Sequence, residues 1–277
     1  MSTNFNDVKE TNKIVANYIS RKSGKDSRSI LKLFNQRHFP SNEGLVKILN
    51  KTMNLPSADR PIHVESTSSA DVSYKTKEID SSGLLKDLPV AHPVYLDHGC
   101  GAGKITAEIA SLIGASKVYG VDIYIHPLLY ERGIEGIIPE PDGTIGLPDA
   151  SIDVATCLLS LHHVTLQQKT LEELYRILRP GGVLLIYEHD FISDPGFRVF
   201  LDAVHMTFSL YGTENESEGS TLGKAKKITL ESEQWIFDTK YKSRDLWRGD
   251  LERCGFKHVV DRIFKNSQRM YFAKFEK

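Results

Sequence analysis

Apolar residues in the first part of the chain recur at helical spacing. Val8, Ile14, Val15, Tyr18 and Ile19 fall on one helical face, and Leu31, Leu33 and Phe34 mark a second helical segment. A third segment follows Pro40, with Ser41 placed to cap a helix through Leu45, Val46, Ile48 and Leu49. From Leu55 to Pro93 the periodicity dissolves into a stretch rich in proline and serine, a pattern of weak structure. These features predict a helical N-terminal extension over 1–54 and a linker or flap over 55–91. Beyond Pro93 the pattern changes again. Strand-like runs at Val94–Asp97, Lys117–Val121, Ile152–Leu158 and Val183–Tyr187, with a further candidate near Ile137–Ile138, alternate with helical patterns at Ile105–Ile113 and Leu166–Leu178. Pro180-Gly181-Gly182 is expected to stop the second of these helices. Such alternation predicts an α/β domain over 92–277, with a parallel sheet and helices on both faces. A last helix, Arg244–Cys254, precedes Lys257–Phe264 and Arg269–Phe275, which read as an antiparallel hairpin closing the sheet's edge. A polar insertion over 211–240 precedes that helix.

The 277 residues suffice for a full core. The longest apolar runs, such as Val183–Tyr187, are far too short to span a membrane, and the polar start lacks the apolar stretch of a signal peptide. Three scattered cysteines, Cys100, Cys157 and Cys254, form neither a disulfide framework nor a CxxC pair, so no metal site is expected. The chain reads as a cytoplasmic protein of a reducing compartment, with the nucleus also open. Its net charge of −1 conceals an asymmetry: residues 1–60 carry eleven Lys/Arg against five Asp/Glu. A basic head on an acidic body is either an arm for anions such as nucleic acid or a solvated helix face.

The most informative stretch is VYLDHGCGAGK, where Gly99, Gly101 and Gly103 follow a strand and open a helix. Small residues there let the backbone turn sharply beside a ligand, and the helix start offers free N–H groups. Lys104 stands where a dinucleotide fingerprint needs its third glycine, and Ile105 rules out a phosphate-cradling GxxxxGK[ST] loop. Asp97, two residues before the first glycine, would repel a pyrophosphate but suits a cationic group such as a sulfonium with an amino-acid tail. Asp122 closes the next strand, beside Asp97 at the crevice where such sheets bind ligands, and can accept both hydroxyls of a ribose. Asp142, in the loop after the third strand position, can accept a bond from an adenine amino group or simply form a Pro-Asp-Gly turn. Together these residues predict a site for a nucleoside that carries a positive charge.

LDHGCGAG, VYGVD, IGLPDASIDVATCLLSLHHV and LRPGG followed by VLLIYEHD resemble, in order and spacing, the motifs of class I S-adenosylmethionine-dependent methyltransferases. The branch with the type 11 methyltransferase domain is the most similar. The resemblance covers about residues 92–190 well and 240–277 more loosely, with a looser similarity to stand-alone viral methyltransferases. It implies a Rossmann-like, seven-stranded, mostly parallel sheet with an antiparallel C-terminal edge strand, and S-adenosyl-L-methionine as cofactor. It also implies that Asp97 and the Gly99, Cys100, Gly101, Gly103 loop hold the methionine end. Asp122 would then take the ribose, Ile123 the adenine face and Asp142 the adenine amino group. The backbone around Cys157 and Leu158 would flank the methionine side. The family's Gly-Asp pair is replaced here by Pro141-Asp142.

Methyl transfer needs no protein nucleophile, because aligning acceptor and methyl supplies much of the rate. Candidates for the acceptor pocket stand at the strand ends: His162 and His163 after one strand, a pair that is usually structural in the family the chain resembles, and Glu188, His189 and Asp190 after the other. A histidine between two acids can serve as base or anchor, or these residues can simply cap neighbouring loops. Three readings follow. The acceptor is RNA, such as a viral mRNA cap and not a ribose 2′-hydroxyl; or it is a small molecule; or the fold is a silent cofactor-binding scaffold.

Overall fold

A computed structural model describes residues 24–35, 79–191, 239–263 and 270–277, with isolated helical residues at 13, 16–21, 76, 77, 198, 201 and 202. The expected third helix after Pro40 and the 211–240 insertion lie almost entirely outside them. The chain divides into two units, Met1–Ser68 with Phe191–Asp238 and Lys265–Arg269, and Ser69–Asp190 with Thr239–Phe264 and Met270–Lys277. In the first, α1 (Ser27–Asn35) starts where Asp26 Oδ2 accepts bonds from the Ser29 N–H and hydroxyl at 2.9 and 2.8 Å. Residues 16–21 are helical too, and the Tyr18 hydroxyl donates to Asp202 Oδ2 at 2.6 Å.

The second unit carries the sheet. Its elements are β1 (Val94–His98), α2 (Lys104–Leu112), β2 (Lys117–Val121), α3 (Leu128–Glu131) and β3 (Glu135–Ile137). They are followed by β4 (Ile152–Leu158), α4 (Gln167–Ile177), β5 (Leu178–His189), α5 (Arg244–Arg253), β6 (Lys257–Ile263) and β7 (Met270–Glu276). The strand order is β3-β2-β1-β4-β5-β7-β6. The first five strands are parallel, and β7 runs antiparallel between β5 and β6. β4 is buried on both faces over Ile152–Cys157 and β5 over 182–188, whereas β6 at the edge is largely exposed.

Each face packs its own layer. Leu96, Ala155, Cys157, Leu184 and Ile186 meet α4 and α5 through Leu171, Leu174, Trp247 and Leu251. Tyr95, Val154, Leu185 and Tyr187 meet Ile109 of α2 on the other face. Ile79 and Leu84 join this second cluster, so the end of the stretch read as a linker packs on the sheet. Thr76 also donates to Glu108 of α2 at 2.6 Å. The expected helix over Leu166–Leu178 ends at Ile177, ahead of Pro180. Leu178 is already extended and pairs with Ile152, and Arg179, directly before Pro180, is biased against helix by the proline ring.

Candidate functional site

Strand order reverses around β1, which has β2 on one side and β4 on the other, so the crevice lies at its C-terminal end. Asp97 pairs with Gly120 and Thr156, and His98 with Val121 and Cys157. Asp97 and Asp122 therefore stand at the same end of adjacent strands. Between β1 and α2 the backbone is left-handed at Gly99 (φ +82°), Gly101 (φ +53°) and Gly103 (φ +76°). A Cβ on Gly99 would lie 2.2 Å from the Ser160 Cβ, so that glycine is needed for packing. A Cβ on Gly101 would meet nothing within 4 Å, so there the loop faces open space. Cys100 is folded underneath, against Gly120, and burial pushes its thiol well above the ordinary range, which makes it filler rather than nucleophile.

Asp122 bridges the loop to the end of β2. Its Oδ2 accepts from Gly101 N at 2.8 Å and its Oδ1 from Ile123 N at 2.7 Å, and it keeps lone pairs free in a half-exposed position. Next to it, the Ile123 side chain is 84% exposed, an apolar surface at a polar crevice. Asp97 differs from the expectation of a ligand-facing acid. It is buried beneath the loop, where Oδ2 accepts from the Thr106 hydroxyl and Oδ1 from the Thr156 hydroxyl, both at 2.6 Å. Since Thr156 gives its proton to Asp97, the Tyr95 hydroxyl, 2.7 Å away, donates to Thr156. Burial outweighs these bonds and pushes the Asp97 carboxyl up to about 6. Thr106 and Thr156 were not anticipated, although a threonine in the first turn of α2 could have signalled a partner for the acid. The first turn of α2 has neither a side-chain cap nor an acidic residue, which leaves its positive end for a ligand anion.

Asp142 is exposed and accepts from Thr144 N at 2.9 Å, an ordinary Asx turn. Its loop is tied down just beyond, where Ile145 N donates to Glu173 Oε2 at 3.0 Å and Arg176 bonds the carbonyls of Ile145 and Leu147, both at 2.9 Å. The same guanidinium holds Glu173 at about 2. Cys157 is fully buried in β4, and Leu158 pairs with Tyr187. Leu159 then adopts φ +56°, a strained conformation for leucine, and turns the chain so that the Ser160 hydroxyl donates to His98 O at 2.7 Å.

At the ends of β4 and β5 the acids are occupied. Glu188, expected in an open acceptor pocket, is fully buried. Its Oε1 accepts from the N–H groups of Leu161 and His162 at 2.9 and 3.4 Å, and its Oε2 lies 2.5 Å from His162 Nδ1. A buried carboxylate requires donors, and the start of the helical turn Leu161–His163 has N–H groups to give. Asp190 accepts from Arg244 N at 2.8 Å and so binds the first residue of α5. His163 and His189 are further imidazoles near this strand end. His162 gathers them: its ring lies 4.1 Å from His163, 5.3 Å from His189 and 5.1 Å from a stacked Tyr241. Tyr241 comes from the segment before α5, which Lys240 N joins to His162 O at 2.7 Å. No local sequence signal marks that meeting.

A glycine turn open at Gly101, a carboxylate at the end of β2 and a helix start without a side-chain cap lie together at the end of β1 and offer hydrogen-bonding groups of both kinds. Residues 96–186 match the family profile described as "Methyltransferase domain". Over 200 residues the chain is 35% identical to "Ubiquinone/menaquinone biosynthesis C-methyltransferase UbiE" of Pseudoalteromonas translucida (strain TAC 125), covering 68% of this chain and 73% of that one. Over 132 residues it is also 35% identical to the protein of the same name from Hydrogenovibrio crunogenus, and there it spans half of the relative's length. The [4+2]-cyclase SpnF shares the fold at a TM-score of 0.51 and 12% identity, over 86% of this chain and 96% of that one. The chain belongs to the class I S-adenosylmethionine-dependent methyltransferases. Among the described residues no helix is long and apolar enough to cross a membrane.

Proposed function

We propose that this methyltransferase acts on a carbon atom of a small molecule of the quinone-precursor kind. The observation that carries this reading is the 35% identity to a C-methyltransferase of ubiquinone and menaquinone biosynthesis, along an alignment covering 73% of it. S-adenosylmethionine supplies a methyl group already activated on a sulfonium, so the chain's own residues bind, orient and manage a proton. The Gly99–Gly103 loop and the α2 start hold the amino-acid tail, Asp122 the ribose hydroxyls, and Ile123 covers the adenine. Asp97 places negative charge beneath the loop without spending it on a direct contact. A carbon acceptor must lose a proton, and His189 or His163 is the proposed base that takes it. Glu188 sets the imidazole cluster from behind.

The test is incubation of the full chain with methyl-labelled cofactor and hydroquinone acceptors, followed by mass and carbon-13 analysis of the product. A new carbon–methyl bond supports the reading; label on oxygen or nitrogen alone refutes it. The charge surplus of residues 1–60 favours RNA as a second reading. Label appearing in RNA, with binding that falls steeply as salt rises, would replace the first.

A further inference from the structure

His98 is the last residue of β1, on the same face as Leu96 two residues earlier, between Val121 and Cys157 at the ends of the flanking strands. It is 8% exposed, and its Nδ1 is buried without a hydrogen-bond partner. Buried ring nitrogens are rarely left so, and each such case calls for an explanation. Trp247 Nε1 and Tyr271 Oη share the condition, but they lie inside the apolar cluster with α4 and α5. His98 instead stands at the point where strand order reverses, directly before Gly99, with its backbone pinned by Ser160. Burial lowers its pKa to about 4, and the Asp122 carboxylate is the charged group acting against that shift. The ring is therefore neutral at physiological pH. It offers one donor and one acceptor, and it does not repel a cation.

We infer that His98 makes a hydrogen bond to the bound sulfonium nucleoside, beside the groups held by Asp122. The inference deepens the donor-site reading and rests on it. Physical chemistry attaches a signature to such a residue. An apolar side chain of similar size removes an unsatisfied buried nitrogen, so it leaves the ligand-free protein equally or more stable while removing a bond from the complex.

The experiment compares the full-length wild type, His98→Leu and His98→Asn. Thermal unfolding is measured without ligand, and binding of S-adenosylhomocysteine by calorimetry. The expected result is an unchanged or higher midpoint for His98→Leu with about tenfold weaker binding, the size of one hydrogen bond. His98→Asn, which keeps a polar group near the Nδ1 position, should recover most of the affinity. Unchanged affinity in His98→Leu overturns the inference. A lowered ligand-free midpoint overturns it too, because leucine would then have removed a native bond. A wild type that fails to bind the probe would refute the donor site itself rather than the role of His98.

Discussion

The two halves of the crevice carry similar residue types and treat them differently. At the ends of β1 and β2, Asp122 spends two bonds on backbone N–H groups yet stays half-exposed, Ile123 is uncovered and His98 keeps an unpaired nitrogen. At the ends of β4 and β5, Glu188 and Asp190 are consumed by a helical turn and a helix start. The β1–β2 end, proposed for the methyl donor, thus keeps bonding capacity, whereas the β4–β5 end, proposed for the acceptor, has its acids already satisfied. An acid at a strand end is a ligand group only if the local backbone does not claim it first.

The sharpest way to break this contrast is Glu188→Ala. It leaves buried N–H groups and an imidazole without their carboxylate and is expected to lower stability by about 3–5 kcal/mol. Denaturant unfolding measures this, and a normally stable variant with lost turnover would restore Glu188 to the acceptor pocket. Gly99→Ala combines left-handed backbone with a Cβ against Ser160, and should lose about 2–4 kcal/mol of stability together with nucleoside binding. Asp122→Ala should act on binding more than on folding, weakening S-adenosylhomocysteine by about 1–3 kcal/mol in calorimetry.

A smaller effect separates Asp97 from Asp122 by pH. The Asp97 carboxyl is raised to about 6 in the fold, so the folded ligand-free protein binds a proton more readily than the unfolded chain. This group's contribution to stability therefore falls as pH rises from about 4 to 6. A cationic ligand favours the ionised form, so affinity should rise across pH 5–7, and Asp97→Asn should flatten that rise. A titration series with identical slopes in both proteins would remove Asp97 from the site's electrostatics. Smallest of all, Ile123→Ala should change stability by less than about 0.5 kcal/mol, because the side chain lies in solvent. Any loss should appear only in affinity.

The alternation after Pro93, the glycine turn and the acid at the end of β2 were legible in the sequence because each depends on local rules. Pleated and helical periods, left-handed backbone and the parallel βαβ unit need only neighbouring residues to specify them. The inward packing of Ile79 and Leu84 was hidden, because proline and serine around them mask two apolar residues that only a distant sheet face can bury. The same holds for Asp97, whose partners Thr106 and Thr156 lie 9 and 59 residues away in the chain. Residue type and order alone were enough to point to a methyltransferase of the S-adenosylmethionine-dependent class and to a crevice at the C-terminal ends of β1 and β2. Tertiary structure alone decided which carboxylates remain available to it, because hydrogen-bond satisfaction is settled by groups that meet only after the sheet has closed.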